Sequence, residues 1–263
     1  MAGEIAFGVF GGSGFYSLLD EREEIPVDTP YGPPSAHVHV GELNGVRVAF
    51  MPRHGENHQL PPHRVNYRAN VWAMHKLGVR RIVGPSACGS LQPDIAPGTF
   101  VVCDQFIDRT GGREDTFYDG PQTTHVAGAD PYCADLRACL TRAAKEEGID
   151  VRERGRVVVI QGPRFSTRAE SHWFSGFADV INMTQYPEAW LARELEICYA
   201  NVSLVTDWDA GVGGVEPVTA ETAIRVFDAN LDRLRALLIR AAPLIGPQPD
   251  DVCASALSSA VIH

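Results

Sequence analysis

No segment of this chain approaches the ~18 consecutive apolar residues of a membrane span. Its first residues also lack the basic start, apolar run and small-residue cleavage site of a secretory leader. The expectation is a soluble, cytoplasmic protein with no membrane partner. Positive charge is in short supply: 23 Lys and Arg stand against 33 Asp and Glu, a formal net charge of -10. Proteins that grip a nucleic-acid backbone need a basic face to release counterions, so nucleic acid is excluded as a partner. A small anion is not excluded, because a local cluster of donors suffices to hold it. The six cysteines, Cys88, Cys103, Cys133, Cys139, Cys198 and Cys253, show no CxxC or Cys/His spacing. Buried free thiols are expected rather than disulfides or zinc, and no metal is assigned. Likewise His54, His58 and His63 lie across a Pro-Pro break and lack the i, i+4 pairing of helical metal ligands. The one glycine-rich turn, 11–14, has neither the GxGxxG spacing of a dinucleotide site nor a P-loop lysine, which argues against a dehydrogenase.

What is present suits one α/β domain. The chain has 263 residues, 44% of them apolar, enough for a substantial core. Apolar runs of strand length at 5–10, 79–84, 99–103, 157–160, 180–181 and 198–205 are interleaved with helical periodicity at 65–77, 134–144, 168–174, 187–194 and 217–242. Alternation over 36–51 predicts a hairpin turned at Leu43-Asn44-Gly45. On the last helix, Ile224, Phe227, Leu231, Leu234 and Leu238 share a face expected to be core. Residues 104–131 read as a long loop, of a length usually reserved for function or subunit contact. We expect a domain over 1–245 and an irregular tail over 246–263.

Several strands run directly into small or polar residues, and in open α/β sheets ligands bind beyond such carboxyl ends. Taken singly each is ambiguous. Glycine turns are more often plain connections than anion sites, Arg53-His54 reads as a solvated loop, and an Asp207/Asp209 pair is commonly a turn or cap. Cys88 has no identifiable base, so a buried thiol is expected there rather than a nucleophile. Taken together, Ser13, Arg53, His54, Ser86 and Thr184 offer hydroxyls, an arginine fork and a titratable donor for an oxyanion. Pro187 at the first helical position and Glu188 in the first turn aim a helix N-terminus toward Thr184.

These segments carry a resemblance. Gly11-Gly12-Ser13-Gly14, Pro52-Arg53-His54-Gly55, Val65-Asn66-Tyr67, Ser86-Ala87-Cys88-Gly89-Ser90, Gly162-Pro163-Arg164-Phe165-Ser166, Asn182-Met183-Thr184 and Thr206-Asp207-Trp208-Asp209 are similar to the motifs of the trimeric purine nucleoside phosphorylase superfamily, in particular its methylthioadenosine-cleaving branch. The resemblance covers the chain to about residue 242. It implies a single domain with a mixed, twisted central sheet of distorted barrel-like form, flanked by helices. It implies phosphorolysis of 5'-deoxy-5'-methylthioadenosine to adenine and 5-methylthioribose-1-phosphate, a step of purine and methionine salvage. Inorganic phosphate would be the co-substrate, with no metal or organic cofactor. Ser13, Arg53, His54, Ser86 and Thr184 would hold phosphate. Ala87, Phe165, Ser166, Met183, Asp207 and Asp209 would contact base and ribose, with Asp207 the proton donor to purine N7. His125, Val218, Ala220, Ala223 and Ile224 would form the pocket for the 5' group, His125 reaching it from a neighbouring subunit of a homotrimer or a dimer of trimers. The oxopurine branch carries Glu in place of Ser166 and Asn in place of Asp207, so both residues favour adenine. The alternatives weighed are a 5'-methylthioinosine or 6-oxopurine phosphorylase and a non-catalytic nucleotide-binding protein.

Overall fold

The fully apolar runs become buried strands, and the alternating runs over 38–43 and 46–52 are also buried over most of their length. The structure, a computed structural model, describes residues 4–11 and 19–262. Its elements run β1 (Phe7–Gly11), β2 (Asp20–Ile25), β3 (Val38–Leu43), β4 (Val46–Pro52), α1 (Tyr67–Lys76), β5 (Arg81–Val83), β6 (Ser86–Ser90), β7 (Phe100–Val101), β8 (Gln105–Arg109), α2 (Ala134–Glu146), β9 (Val151–Arg152) and β10 (Arg156–Ile160). They continue with α3 (Arg168–Ser175), β11 (Val180–Asn182), α4 (Gln185–Glu194), β12 (Cys198–Ala200), β13 (Ser203–Asp207) and α5 (Ala220–Ala241). The α/β class and mixed strand directions agree with expectation. The strands are divided between two sheets, ordered β12-β5-β1-β4-β3-β2 and β8-β10-β11-β6-β13-β7-β9, with no closed barrel among the described residues.

The chain passes from the first sheet to the second at two adjacent places, between β5 and β6 and between β12 and β13. The crossings are tied together: Gly84 N–H donates to Ala200 O at 2.9 Å and Ser86 N–H to Val202 O at 3.1 Å. Two expectations change here. The small residues 86–90 form a strand rather than a turn, because the parallel partner β13 satisfies their backbone. The run 198–205 is two strands, broken at Asn201, where the chain changes sheets. The long loop is also shorter than expected, since its first residues pair as β8 beside β10.

Helix ends follow local chemistry. The Asn66 side chain caps α1 at Ala69 N–H, Thr167 and Glu170 make a reciprocal capping box on α3, and Thr219 caps α5 at Thr222 N–H. Helix α5 packs on α2 and β13, while α1 packs on α4. Its C-terminal half is core, Leu234 and Leu238 being buried, but Ile224 is 61% exposed. The expected core face is therefore only half core. Its first turns project past the sheet edge and have other work.

Gly84 shows how tightly the crossing is packed. A Cβ there would stand 2.0 Å from the Tyr199 hydroxyl and 2.8 Å from Glu188 Oε1. Tyr199 is 2% exposed and has nowhere to move. Gly84→Ala is expected to destabilise the protein by ~3 kcal/mol through overpacking and loss of the Tyr199–Glu188 hydrogen bond. Denaturant midpoints of the two proteins check this.

Candidate active site

At the end of β4 the chain delivers Arg53, whose guanidinium turns inward. Its Nε donates to Glu188 Oε2 at 2.6 Å and Nη2 to Glu188 Oε1 at 2.7 Å; Nη1 reaches Pro85 O at 3.1 Å and Nη2 also reaches Phe10 O at 3.0 Å. Burial alone would weaken the cation, but the paired Glu188 overrides it and raises the pKa above the ordinary arginine value. This corrects the expectation of a fork offered to an oxyanion. The bidentate face is occupied by a carboxylate that sequence reasoning assigned only to a helix start, and Arg53 keeps one Nη1 proton without an assigned partner.

His54 differs from expectation in a similar way. Burial first, then the Arg53 charge, push its pKa down to about 4, so it is neutral at pH 7. Its Nδ1 lies 2.8 Å from the Leu60 carbonyl, which only accepts, so Nδ1 carries the proton and Nε2 a lone pair. His54 is an acceptor toward the cavity, not a titratable donor. The His58 ring stacks on it at 4.6 Å.

Ser86 sits at the sheet crossing inside a network that the sequence did not reveal. Its Oγ accepts from Asn182 Nδ2 at 3.2 Å and from Asn201 Nδ2 at 3.0 Å. Ser203 Oγ lies 3.2 Å away but donates its own proton to Asn201 Oδ1 at 2.8 Å. Both lone pairs of Ser86 are thus used, and since Ser203 gives its own proton to Asn201, the Ser86 hydroxyl proton rests on Ser203 Oγ and turns from it to reach a ligand. Thr184 is the N-cap of α4 yet makes no side-chain cap bond, and its neighbour Tyr186 is non-helical, so regular helix begins at Pro187. Ser86 and Thr184, the latter at the α4 N-terminus, line the same cavity. Ser13 lies outside the described residues.

The opposite wall is acidic. A bulge in β13 between Val205 and Asp207 sets Asp207 opposite Gly89, whose missing Cβ would stand 2.8 Å from Asp207 Oδ1. Asp207 accepts from Thr206 Oγ1 at 2.7 Å and from Asp209 N–H at 2.8 Å. Burial pushes its pKa up to about 6 against those hydrogen bonds, and the Asp209 charge adds the smallest contribution. A neighbouring carboxylate is thus the minor cause and desolvation the major one. Ser166 stands one step behind: its hydroxyl donates to both Asp209 oxygens, at 2.9 and 2.7 Å, and Ser166 itself does not line the cavity. Cys88 is buried, with its thiol pKa pushed well up by burial, consistent with an inert side chain.

A cavity of about 530 Å³ joins the two walls, within the ~300–1,000 Å³ of small-molecule sites. Arg53, His54, Ser86 and Thr184 line one part of it, Ala87, Phe165, Met183, Asp207 and Asp209 another, and Ala223 and Ile224 of α5 its rim. The polar ends of β10 and β11 are held together by Arg113 from the long loop, which donates to the carbonyls of Gln161 and Met183, both at 2.9 Å. Gly162, at φ +64°, leaves room for Met183 Sδ, which a Cβ would approach to 2.6 Å. Of the remaining residues expected at the 5' pocket, Val218 and Ala220 lie outside this cavity's lining, whereas His125 was expected to reach the pocket of a neighbouring subunit. Val218 is half-buried with its N–H on Asp209 O at 2.8 Å, Ala220 is exposed at the start of α5, and His125 is exposed on the protomer surface with its N–H on Ala260 O at 2.8 Å. The α5 helix turns Ala223 and Ile224 inward, so Ala220, one turn earlier, falls beyond the rim.

This geometry has close relatives. The family model described as "Phosphorylase superfamily" matches residues 6–243. An S-methyl-5'-thioadenosine phosphorylase of Pyrococcus horikoshii is 51% identical over 252 residues, covering 96% of this chain and 97% of that protein. A purine nucleoside phosphorylase of Streptomyces coelicolor is 51% identical over 262 residues, covering 95% of this chain and 93% of that protein. The solved structure of methylthioadenosine phosphorylase from Schistosoma mansoni in complex with adenine superposes with a TM-score of 0.90 at 37% identity, covering 97% of each chain. The chain belongs to the phosphorylase superfamily.

Proposed function

We propose that this protein cleaves 5'-deoxy-5'-methylthioadenosine with inorganic phosphate, giving adenine and 5-methylthioribose-1-phosphate. One observation carries this reading: the carboxylate pair on the acidic wall. Asp207, raised to about 6 by burial, can give a proton, and Asp209, accepting the Ser166 hydroxyl, stays an acceptor. A 6-aminopurine needs that combination, a donor at N7 and an acceptor for its N6–H. A 6-oxopurine presents an acceptor at O6, and a mismatched buried hydrogen bond costs orders of magnitude in discrimination.

In the reaction a phosphate oxygen forms a bond to C1' while the bond from C1' to N9 breaks, and the Asp207 proton passes to N7 of the departing base. Positive charge on the sugar is stabilised by the phosphate anion, and negative charge on the purine by protonation. Ser86 donates its hydroxyl, Thr184 adds a hydroxyl and a helix N-terminus, and Arg53 adds its remaining proton and a screened positive charge. His54 Nε2, an acceptor, suits the P–OH of monohydrogen phosphate. Met183 and Phe165 pack against the sugar and base, and Ala223 and Ile224 give an apolar rim to the 5' group. We further place residues 1–245 in the catalytic domain and 246–263 in an appended segment. The reaction draws on no cofactor, and a cytoplasmic enzyme of soluble salvage metabolism fits the substrates. Among the described residues, no helix is long and apolar enough to cross a membrane.

Four outcomes are expected. With phosphate present, methylthioadenosine is cleaved at least ~10²-fold faster, as kcat/KM, than methylthioinosine or inosine. Faster cleavage of inosine would assign the chain to oxopurines. Asp207→Asn lowers kcat by ~10²–10⁴-fold, while raising stability above pH 6. The sign follows from the raised pKa: the folded carboxyl holds a proton between 3.8 and about 6 that the unfolded one releases, so stability falls as pH rises through that window. The loss amounts to roughly 3 kcal/mol at neutral pH. Thermal melts at pH 4 and pH 8 should show the variant's advantage only at the higher pH. Finally, light scattering should give three protomers of 28.6 kDa or a multiple. His125→Ala should raise the nucleoside KM with the phosphate KM unmoved; equal effects on both would remove His125 from the 5' pocket.

A further inference from the structure

Cysteine spacing gave no sign of a metal site, but folding brings distant thiols together. Cys133 is the N-cap of α2, Cys198 begins β12, and Asp251 and Cys253 lie in the C-terminal segment. The three Sγ atoms and a carboxylate oxygen of Asp251 all lie within 4.8 Å of one another, and all three thiols are free and buried. Asp251 Oδ1 accepts the Cys253 N–H at 2.8 Å, which orients the carboxylate and leaves Oδ2 available. None of the four residues lines the nucleoside cavity.

A second observation lies beside the cluster. Arg193 is 4% exposed, and the partners of its guanidinium are carbonyls: Val252 O at 2.8 Å and Asp130 O. Its Nε has no hydrogen-bond partner, and among the described residues it has no carboxylate partner. A buried cation of this kind calls for an anion; Arg193 grips the carbonyl of Val252, between Asp251 and Cys253, and Arg81, also buried, pairs with Asp135 in the first turn of the helix that Cys133 caps. Three neutral thiols would supply no such charge.

We propose that Cys133, Cys198, Cys253 and Asp251 bind one structural zinc ion. Three thiolates and a carboxylate around Zn²⁺ carry a net charge of -2, matched by Arg193 and by Arg81, the latter shared with Asp135. Soft sulfur ligands in a tetrahedral set select zinc over the hard cations. Zn–S bonds of ~2.3 Å place tetrahedral sulfurs ~3.8 Å apart, so the side chains need only close slightly. Protons leave the three thiols on binding. Four protein ligands leave no open position, so the ion is a latch rather than a Lewis acid. It pins the segment after α5 to α2 and β12. That segment in turn bonds to the long loop through the Thr124–Val261 bridge and the His125 N–H.

The test is metal analysis of untagged protein purified under thiol-protecting reductant without chelator. About one zinc per protomer is expected, released in step with thiol blocking by an organomercurial. Cobalt substitution should give thiolate-to-metal charge-transfer absorption in the near ultraviolet. Cys253→Ser should lower retained zinc at least about tenfold, and Cys139→Ser should not. The proposal fails if fresh, reduced protein holds less than about a tenth of a zinc per protomer after incubation with Zn²⁺ and dialysis. It also fails if alkylation in lysate traps a disulfide among Cys133, Cys198 and Cys253, or if Cys253→Ser keeps its zinc. The wild-type measurements need no variant, so a Cys253→Ser protein that does not fold leaves them decisive.

Discussion

The buried ion pair between Arg53 and Glu188 is the constraint around which the site is assembled. Arg53 follows β4 and Glu188 stands in the first turn of α4, and the same guanidinium bonds to carbonyls of β1 and of the β5–β6 crossing. Glu188 also accepts from the Tyr199 hydroxyl at 2.6 Å, which adds β12. One cluster thus ties three strands of the first sheet, and the crossing into the second, to the helix whose N-terminus faces the cavity. Buried pairs of this kind are weak contributors to stability against a well-packed apolar alternative, because desolvation opposes the Coulomb gain. Their geometric effect is greater: with both charges buried, any displacement leaves one unpaired. The absence of a side chain at Gly84 is what lets the cluster close.

The electrostatic character of the cavity follows. Arginine is screened by its partner, histidine is neutral, and Asp207 titrates near 6, so the walls carry less fixed charge than their residue types suggest. Specificity is carried instead by directed protons. Ser86 has its lone pairs occupied and gives a proton, His54 gives its proton to Leu60 and accepts, and Asp209 is held as an acceptor by Ser166. In the proposed reading such an arrangement takes one anion at one wall and one purine edge at the other, with the sugar between them. It costs little reorganisation when charge develops, which is where electrostatic catalysis gains most. In the proposed reading Ser166 acts through Asp209 rather than by touching the ligand, which sets the distinction between amino- and oxopurine one layer behind the cavity wall.

Much of this was legible in the chain itself. Most strand runs, the helices and the hairpin turn at Asn44-Gly45 rest on local sterics and hydrogen bonding and fall where periodicity places them; β2, β6, β8, β9 and the split of 198–205 do not. The polar strand ends, and the motifs they form, pointed to Arg53, His54, Ser86, Met183, Thr184, Asp207 and Asp209, all of which border one cavity. Val218 and Ala220, expected at the pocket from the resemblance, lie outside its lining, because a motif's place in the chain does not state which side chains of a helix start face the cavity.

What the sequence determined by itself was therefore the set of elements and the residue types that end them, since those depend on neighbours a few positions apart. Only the tertiary structure decided who partners whom. Glu188 taking the Arg53 fork, Asn201 and Ser203 ordering Ser86, Arg113 clasping the ends of β10 and β11, and three cysteines meeting over 120 residues of sequence all depend on chain crossings between two sheets. No local rule encodes those contacts, because hydrogen bonds and ion pairs form between atoms adjacent in space, and burial, which sets the protonation of His54 and Asp207, is a property of the whole packed domain.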